Sequence, residues 1–319
     1  MGEAGGQRLM QALWMVLGAL IFATMGVCVK FASAWFSSAE LVFYRGLIGI
    51  VFLWVLARSR GVTLGTRYPG MHAWRSLIGV VSLGAWFYAI AHMPLATAMT
   101  LNYMSSVWIA AFLVGGALLA WVPTPGRDGS LPRPPLQGPL VLTVLAGFGG
   151  VVLMLKPTVG DNQGFAGLLG LLSGLTAAFA YMQVVALSRL GEPEARTVFY
   201  FAVGSAVAGG LGTLLGGATP WASWTWSHAL WLLPVGVLAA LGQLCMTRAY
   251  ASAKTESGTL VVANLQYSGI VFAAIYSVLL FGDRIDAAGW TGMALIVASG
   301  IAATVLRQRS LPKAPAEEH

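Results

Sequence analysis

Four polar residues stand out inside apolar runs. Asn102 and Ser106 lie four residues apart in one stretch, and Asn264 and Ser268 lie four apart in another. Four residues separate neighbours on one face of a helix. The two stretches also repeat at a shift of 162: Tyr88/Tyr250, Ala89/Ala251, Ala91/Ala253, Thr97/Thr259, Asn102/Asn264, Ser106/Ser268 and Ala111/Ala273 match. A buried amide needs partners, so matched polar faces mark either a ligand site or hydrogen bonds that hold helices together. Arg45 adds a planar guanidinium seven residues into an apolar run, where its fork suits a carboxylate. By this reading Arg45 is the only cation well inside a span and away from its cytoplasmic end. Lys30 and Glu40 sit at a similar level and offer a gate or a charge pair. Arg248 lies near the end of a later run, beside Lys254 and Glu256. The aromatics Trp86, Tyr88, Tyr103, Trp108, Tyr181 and Tyr267 can stack on a substrate or pack between helices. His92, next to Pro94, is a titratable group at a turn.

The elements that carry these residues are membrane helices. The 319-residue chain is 57% hydrophobic and 9% charged, with a mean hydropathy of +0.76. Soluble domains carry about 25% charge, and apolar runs of about 20 residues fit helices rather than barrel strands. Ten spans are expected, at about 9–31, 38–57, 71–91, 95–120, 137–156, 164–188, 196–216, 226–250, 257–281 and 287–306. The first, after Arg8, is too long for a cleaved leader and carries Lys30 near its end. Proline and glycine punctuate the joints, as in the segment 123–135 and at Pro157, Pro193 and Pro220. Cys28 and Cys245 fall in different apolar runs and read as free buried thiols.

Charge fixes the expected orientation. With the N-terminus inside, the inner segments hold Arg8, Arg58, Arg60, Arg67, Arg127, Arg133, Arg189, Arg196, Lys254, Arg307, Arg309 and Lys313. The outer ones hold Lys156 and Arg284. Twelve against two is the positive-inside bias, so both termini are placed in the cytoplasm. The net charge of +7 therefore reflects topology, not nucleic-acid binding. Five spans per half, 1–157 and 158–319, put the second half upside down relative to the first. That is the inverted-repeat plan of secondary transporters. Small residues at four-residue spacing, Ala294, Ala298 and Ala302, with Ala146 and Gly150, form packing seams.

The doubled hairpin, the phrase ELVFYRGLIG at 40–49 and LLFGDRI at 279–285 resemble the drug/metabolite transporter superfamily, EamA type, over nearly the whole chain. The resemblance implies a ten-helix carrier. It departs from the family at Val107 and Gly269, where a mid-helix proline is common, and at Trp121-Val-Pro, which replaces a closing acid. No HExxH, P-loop or GxSxG motif occurs, and no aspartate pair lies within a span. No enzyme activity, metal or cofactor is expected. The expected function is export of an amino-acid-like or other carboxylate metabolite by alternating access, as a monomer or homodimer in a bacterial cytoplasmic membrane. Uptake of a vitamin-like compound or organic anion is the alternative. A non-transporting subunit or a lipid-substrate enzyme is a more distant one.

Reporter fusions after Arg60, Arg133 and Arg309 should all read cytoplasmic. Periplasmic activity at any two of them would break the ten-span topology.

Overall fold

The structure is a computed structural model. It describes residues 2–105, 107–108, 111–112, 115, 138–155, 163–220, 223–252, 262 and 264–310. Among them there is no strand. The helices are α1 (Gly2–Ala32), α2 (Ser38–Ser59), α3 (Pro69–His92), α4 (Leu95–Asn102), α5 (Gly138–Leu155), α6 (Gln163–Arg189), α7 (Glu194–Gly216), α8 (Leu232–Ser252), α9 (Ser268–Phe281) and α10 (Ala287–Ser310). One further helical turn, Trp226–Ala229, precedes α8. Six stretches among the described residues are long and apolar enough to cross a membrane: 10–32, 38–59, 69–92, 164–189, 194–216 and 226–252.

Local chemistry sets the helix ends. At the start of α2, Ser37 and Glu40 form a reciprocal capping box that satisfies two otherwise orphaned amides. Pro69 opens α3, where a missing N–H costs nothing. Gly282 closes α9 in the left-handed region at φ 64°, a conformation that favours glycine.

Helix contacts form a regular set. α2 packs along α7, and α5 along α10. α1 packs on α8, and α3 on α6. Lesser contacts join α2 to α8, α3 to α7, α1 to α9, α4 to α6 and α4 to α9. All eight residues of α4 are buried, so this short helix is central. Leu214 and Leu215 are 82% and 90% exposed, and Leu142, Val152 and Leu279 are also open. An apolar perimeter of this kind suits lipid.

The fourth and ninth expected spans are not continuous. The backbone turns at Tyr103 and Met104 after α4, and again at Gln266 and Tyr267 before α9. At each turn the bonding tightens to three-residue spacing: Met104 N–H to Leu101 O at 3.3 Å, and Tyr267 N–H to Asn264 O at 3.1 Å. These breaks form without the mid-helix proline. The two meet, because a methyl group at Gly269 would overlap the Tyr103 ring. Ser106 and the segment 123–135 lie outside the described residues.

Close helix approach rests on glycine. A Cβ at Gly46 would stand 2.7 Å from the Ala206 Cα and 2.8 Å from the Ala202 carbonyl of α7. Gly150 meets Gly292 and Ile296 in the same way between α5 and α10. Gly84 faces open space. Gly46→Ala should therefore destabilise the detergent-solubilised protein by about 1–3 kcal/mol. Gly84→Ala should be neutral or stabilising by up to about 1 kcal/mol. Thermal unfolding of the two variants side by side checks this, and equal midpoints would refute the seam.

Candidate functional site

The bundle encloses a cavity with a water-accessible volume of about 60 Å³. That is room for a few water molecules. Its walls come from six helices and the α4 break: Phe22 on α1, Arg45 on α2, Arg75 and Trp86 on α3, Asn102 and Tyr103 at the break, Tyr181 on α6, Phe201 on α7 and Gln243 on α8.

Two arginines dominate it. Arg45 is 5% exposed and Arg75 is 3% exposed. Arg45 donates from Nη1 to Ser205 Oγ at 3.2 Å. Its guanidinium carbon stands 4.9 Å from the centre of the Phe201 ring, and that of Arg75 stands 4.1 Å away. The two carbons are therefore no more than about 9 Å apart. Among the described residues neither arginine has a carboxylate within ion-pair distance, since both ion pairs involve Glu192. Arg45 Nε, Arg75 Nε and Arg75 Nη1 are buried without a protein partner there. Trp86 Nε1, Gln243 Nε2 and the Tyr103 hydroxyl share that condition. Gly79 makes space for the second fork, because a Cβ there would strike Arg75 Nη1 and the Phe201 ring.

A neutral network flanks the arginines. Asn102 Nδ2 donates to Ser173 Oγ at 3.1 Å, and Ser82 Oγ donates to the Ser173 carbonyl at 2.8 Å. Gln266, from the second break, donates to Tyr181 Oη at 2.9 Å and accepts from Tyr250 Oη at 3.5 Å.

Of the residues singled out in the sequence, Arg45, Trp86, Asn102, Tyr103 and Tyr181 share this cavity. Asn264 and Ser268 are half-buried outside its lining, and Ser268 Oγ bonds to its own helix at Leu265 O, 2.7 Å. Tyr267 lies against Gly300 of α10, where a Cβ would overlap its ring. Tyr88 stacks on the exposed His92 at 4.0 Å, at the end of α3. Lys30 Nζ donates to Met93 O at 2.6 Å and lies 5.3 Å from the centre of the Phe281 ring. Arg248 lies over Trp14 at 4.8 Å. Glu40 accepts from Thr219 N–H at 2.7 Å and Thr219 Oγ1 at 2.8 Å. The pairing of Glu40 with Arg45 or Lys30 is not formed, because the carboxylate serves as cap and loop tether. Cys28 and Cys245 are free and buried.

The sequence reading missed Arg75, Gln243 and Phe201. Arg45 is not the only cation deep in a span: Arg75 lies six residues past Pro69 and buries its fork. Its signal was present as a charge inside the apolar run 71–91, close enough to one end to pass for an interfacial group.

A second carboxylate ties the opposite end of the α2–α7 pair. Glu192 accepts from Thr66 Oγ1 at 3.0 Å, from Arg196 Nη1 at 3.0 Å, and pairs with His72 Nε2 at 3.2 Å. Arg196 also donates to Thr63 O, and Tyr200 Oη donates to Leu64 O at 3.0 Å. The α2–α3 loop is thereby fastened to α7. Burial raises the Glu192 carboxyl, but the hydrogen bonds from Arg196, His72 and Thr66 outweigh it and hold the group below its ordinary value of 4.5.

Geometry and composition define the class as an α-helical protein with several helices long and apolar enough to cross a membrane. No protein-family model matches the chain. It is 34% identical over 291 residues to the pseudopaline exporter CntI of Pseudomonas aeruginosa, covering 90% of this chain and 93% of that one. The chain belongs to the family of bacterial membrane transporters that contains this exporter. It is also 28% identical over 296 residues to a riboflavin transporter of Rhizobium johnstonii, covering 91% and 89% of the two chains. A transporter of Helicobacter pylori without an assigned substrate is 26% identical over 295 residues, covering 90% and 91%. A solved crystal structure shares the fold at a TM-score of 0.58 and 21% identity, covering 93% of this chain and 98% of that one.

The Glu192 cluster gives a signed pH prediction. A depressed carboxyl stabilises the fold above its unfolded value, and that contribution is lost as pH falls through the lower folded value. Glu192→Gln should cost about 1.5–3 kcal/mol near neutrality, because it removes bonds to a charged acceptor. The gap from the parent protein should close as pH drops below about 4.5. Melting curves between pH 7 and pH 3.5 test it, and a gap that widens on acidification would refute the assignment.

Proposed function

We propose that the chain is a secondary carrier of a small organic anion, a carboxylate metabolite, and that it works by alternating access in the direction of export. The observation that carries this is the pair Arg45 and Arg75, buried around one ring in one cavity with no acid in ion-pair contact among the described residues. A buried charge without a partner is costly, so such a site favours an anionic ligand. Asn102, Tyr103, Trp86, Tyr181 and Gln243 would orient the rest of the substrate. Similarity to a protein named as an exporter supports the direction.

The proposed architecture is ten spans as two inverted repeats, 1–157 and 158–319, N-in and C-in, of the drug/metabolite transporter kind. The helix contacts support it. Exchange each helix of the first half with its counterpart in the second, and the most extensive helix contacts map onto one another. α1–α8 becomes α6–α3, α2–α8 becomes α7–α3, and α1–α9 becomes α6–α4. The breaks at 103–104 and 266–267 fall at matching places, as in carriers whose sites are built at discontinuous helices.

Uptake of a riboflavin-like compound is the second reading. It is favoured by relatives named riboflavin transporters and by the aromatics Trp86, Tyr103 and Tyr181 in the cavity.

Counterflow in proteoliposomes loaded with pooled amino acids, carboxylates or riboflavin separates the readings. Carboxylate counterflow is expected. Arg45→Lys should lower it at least tenfold in a folded, monodisperse protein, since a point charge cannot replace a bidentate fork. Riboflavin counterflow that survives Arg45→Gln would overturn the anion reading in favour of the second.

A further inference from the structure

The proposed reading asks for one negative charge on the substrate, but the cavity asks for more. Its lining presents five buried nitrogens without a protein partner among the described residues: Arg45 Nε, Arg75 Nε, Arg75 Nη1, Trp86 Nε1 and Gln243 Nε2. The Arg75 Nη1 and Gln243 Nε2 atoms each carry two hydrogens. All are donors. A single carboxylate offers about four lone-pair sites and one charge. It cannot saturate this set, and it would leave one of two guanidinium charges uncompensated. No acid among the lining residues makes up the difference.

Like charges repel, so something must hold the two forks together. Phe201 does this by offering its ring to both. Ser205, one helical turn further along α7, accepts from Arg45, and it also donates to Phe201 O at 2.8 Å. Gly79 leaves the space that Arg75 occupies. Three residues on two helices therefore maintain a doubly charged site with no counter-ion among the described residues.

We infer that the transported substrate is a dianion whose two negative charges are divided between Arg45 and Arg75 across Phe201. This rests on the anion-carrier reading and deepens it. A dicarboxylate on a short spacer and a phosphate monoester share the chemistry required. A simple monocarboxylate or a zwitterionic amino acid with one net-neutral head does not.

The test is binding to the full-length protein in detergent, read as thermal stabilisation and by isothermal titration. The probes are dicarboxylates graded from succinate to pimelate, glycerol 3-phosphate, butyrate and L-alanine. At least one dianion should bind at least tenfold more tightly than butyrate and L-alanine. Arg45→Gln and Arg75→Gln should each remove that preference, lowering dianion affinity tenfold or more and butyrate affinity threefold or less. Preference for glycerol 3-phosphate over every dicarboxylate would support the dianion and reassign its chemistry. Equal binding of butyrate and the dicarboxylates by the parent protein would overturn the inference while leaving an anion carrier intact. This comparison needs no variant to fold. Failure of every anion to bind, with riboflavin binding instead, would overturn both.

Discussion

Two guanidinium groups are buried where no acid among the described residues offsets them, and much of the surrounding structure answers that constraint. Desolvating a cation is expensive. Arg45 and Arg75 nevertheless keep their forks inside, where Ser205 Oγ accepts from Arg45 and the Phe201 ring faces both. Cation–π contact over Phe201 recovers part of the lost hydration for both at once. The arrangement needs α2, α3 and α7 in mutual contact, which the bundle provides. It also needs a missing side chain at Gly79. At the α4 break, Tyr103 and Asn102 complete the wall. A continuous helix would have spent these backbone turns on its own ladder, whereas a tightened turn between buried helices redirects the side chains inward.

Acids and bases are sorted by depth. Glu40 and Glu192 stand at opposite ends of the α2–α7 pair, each accepting from a loop that follows the partner helix. There each carboxylate receives several hydrogen bonds. The middle holds the guanidinium groups. The end carboxylates fasten loops to the partner helix, and the central cations are left without an acid among the described residues. Had Glu40 paired with Arg45, one salt bridge would have satisfied both and the cavity would have lost half its charge.

The helices were legible in the sequence, and the central site only partly so. Apolar runs and the proline and glycine joints are local features, and they place α2, α3, α5–α7 and α10 within a few residues. Arg45 was legible because charge far inside a span is rare. Asn102 was legible because a polar residue interrupts an apolar run. Pairing by sequence repeat gave Asn264 and Ser268 the same weight as Asn102 and Ser106, whereas of the two asparagines only Asn102 lines the cavity. In the folded chain Gln266, not Asn264, makes the side-chain bonds to Tyr181 and Tyr250 at the second break. Matching residues at a fixed shift do not fix which face a helix presents to the centre. Arg75 was hidden for another reason. Distance along a helix does not measure the reach of a long side chain. A residue six positions from the helix start can snorkel toward water or turn inward, and the choice belongs to its neighbours. Here Gly79 on its own helix and Phe201 on α7 turn it inward, and neither residue carries a charge or a motif that a reading of sequence weighs.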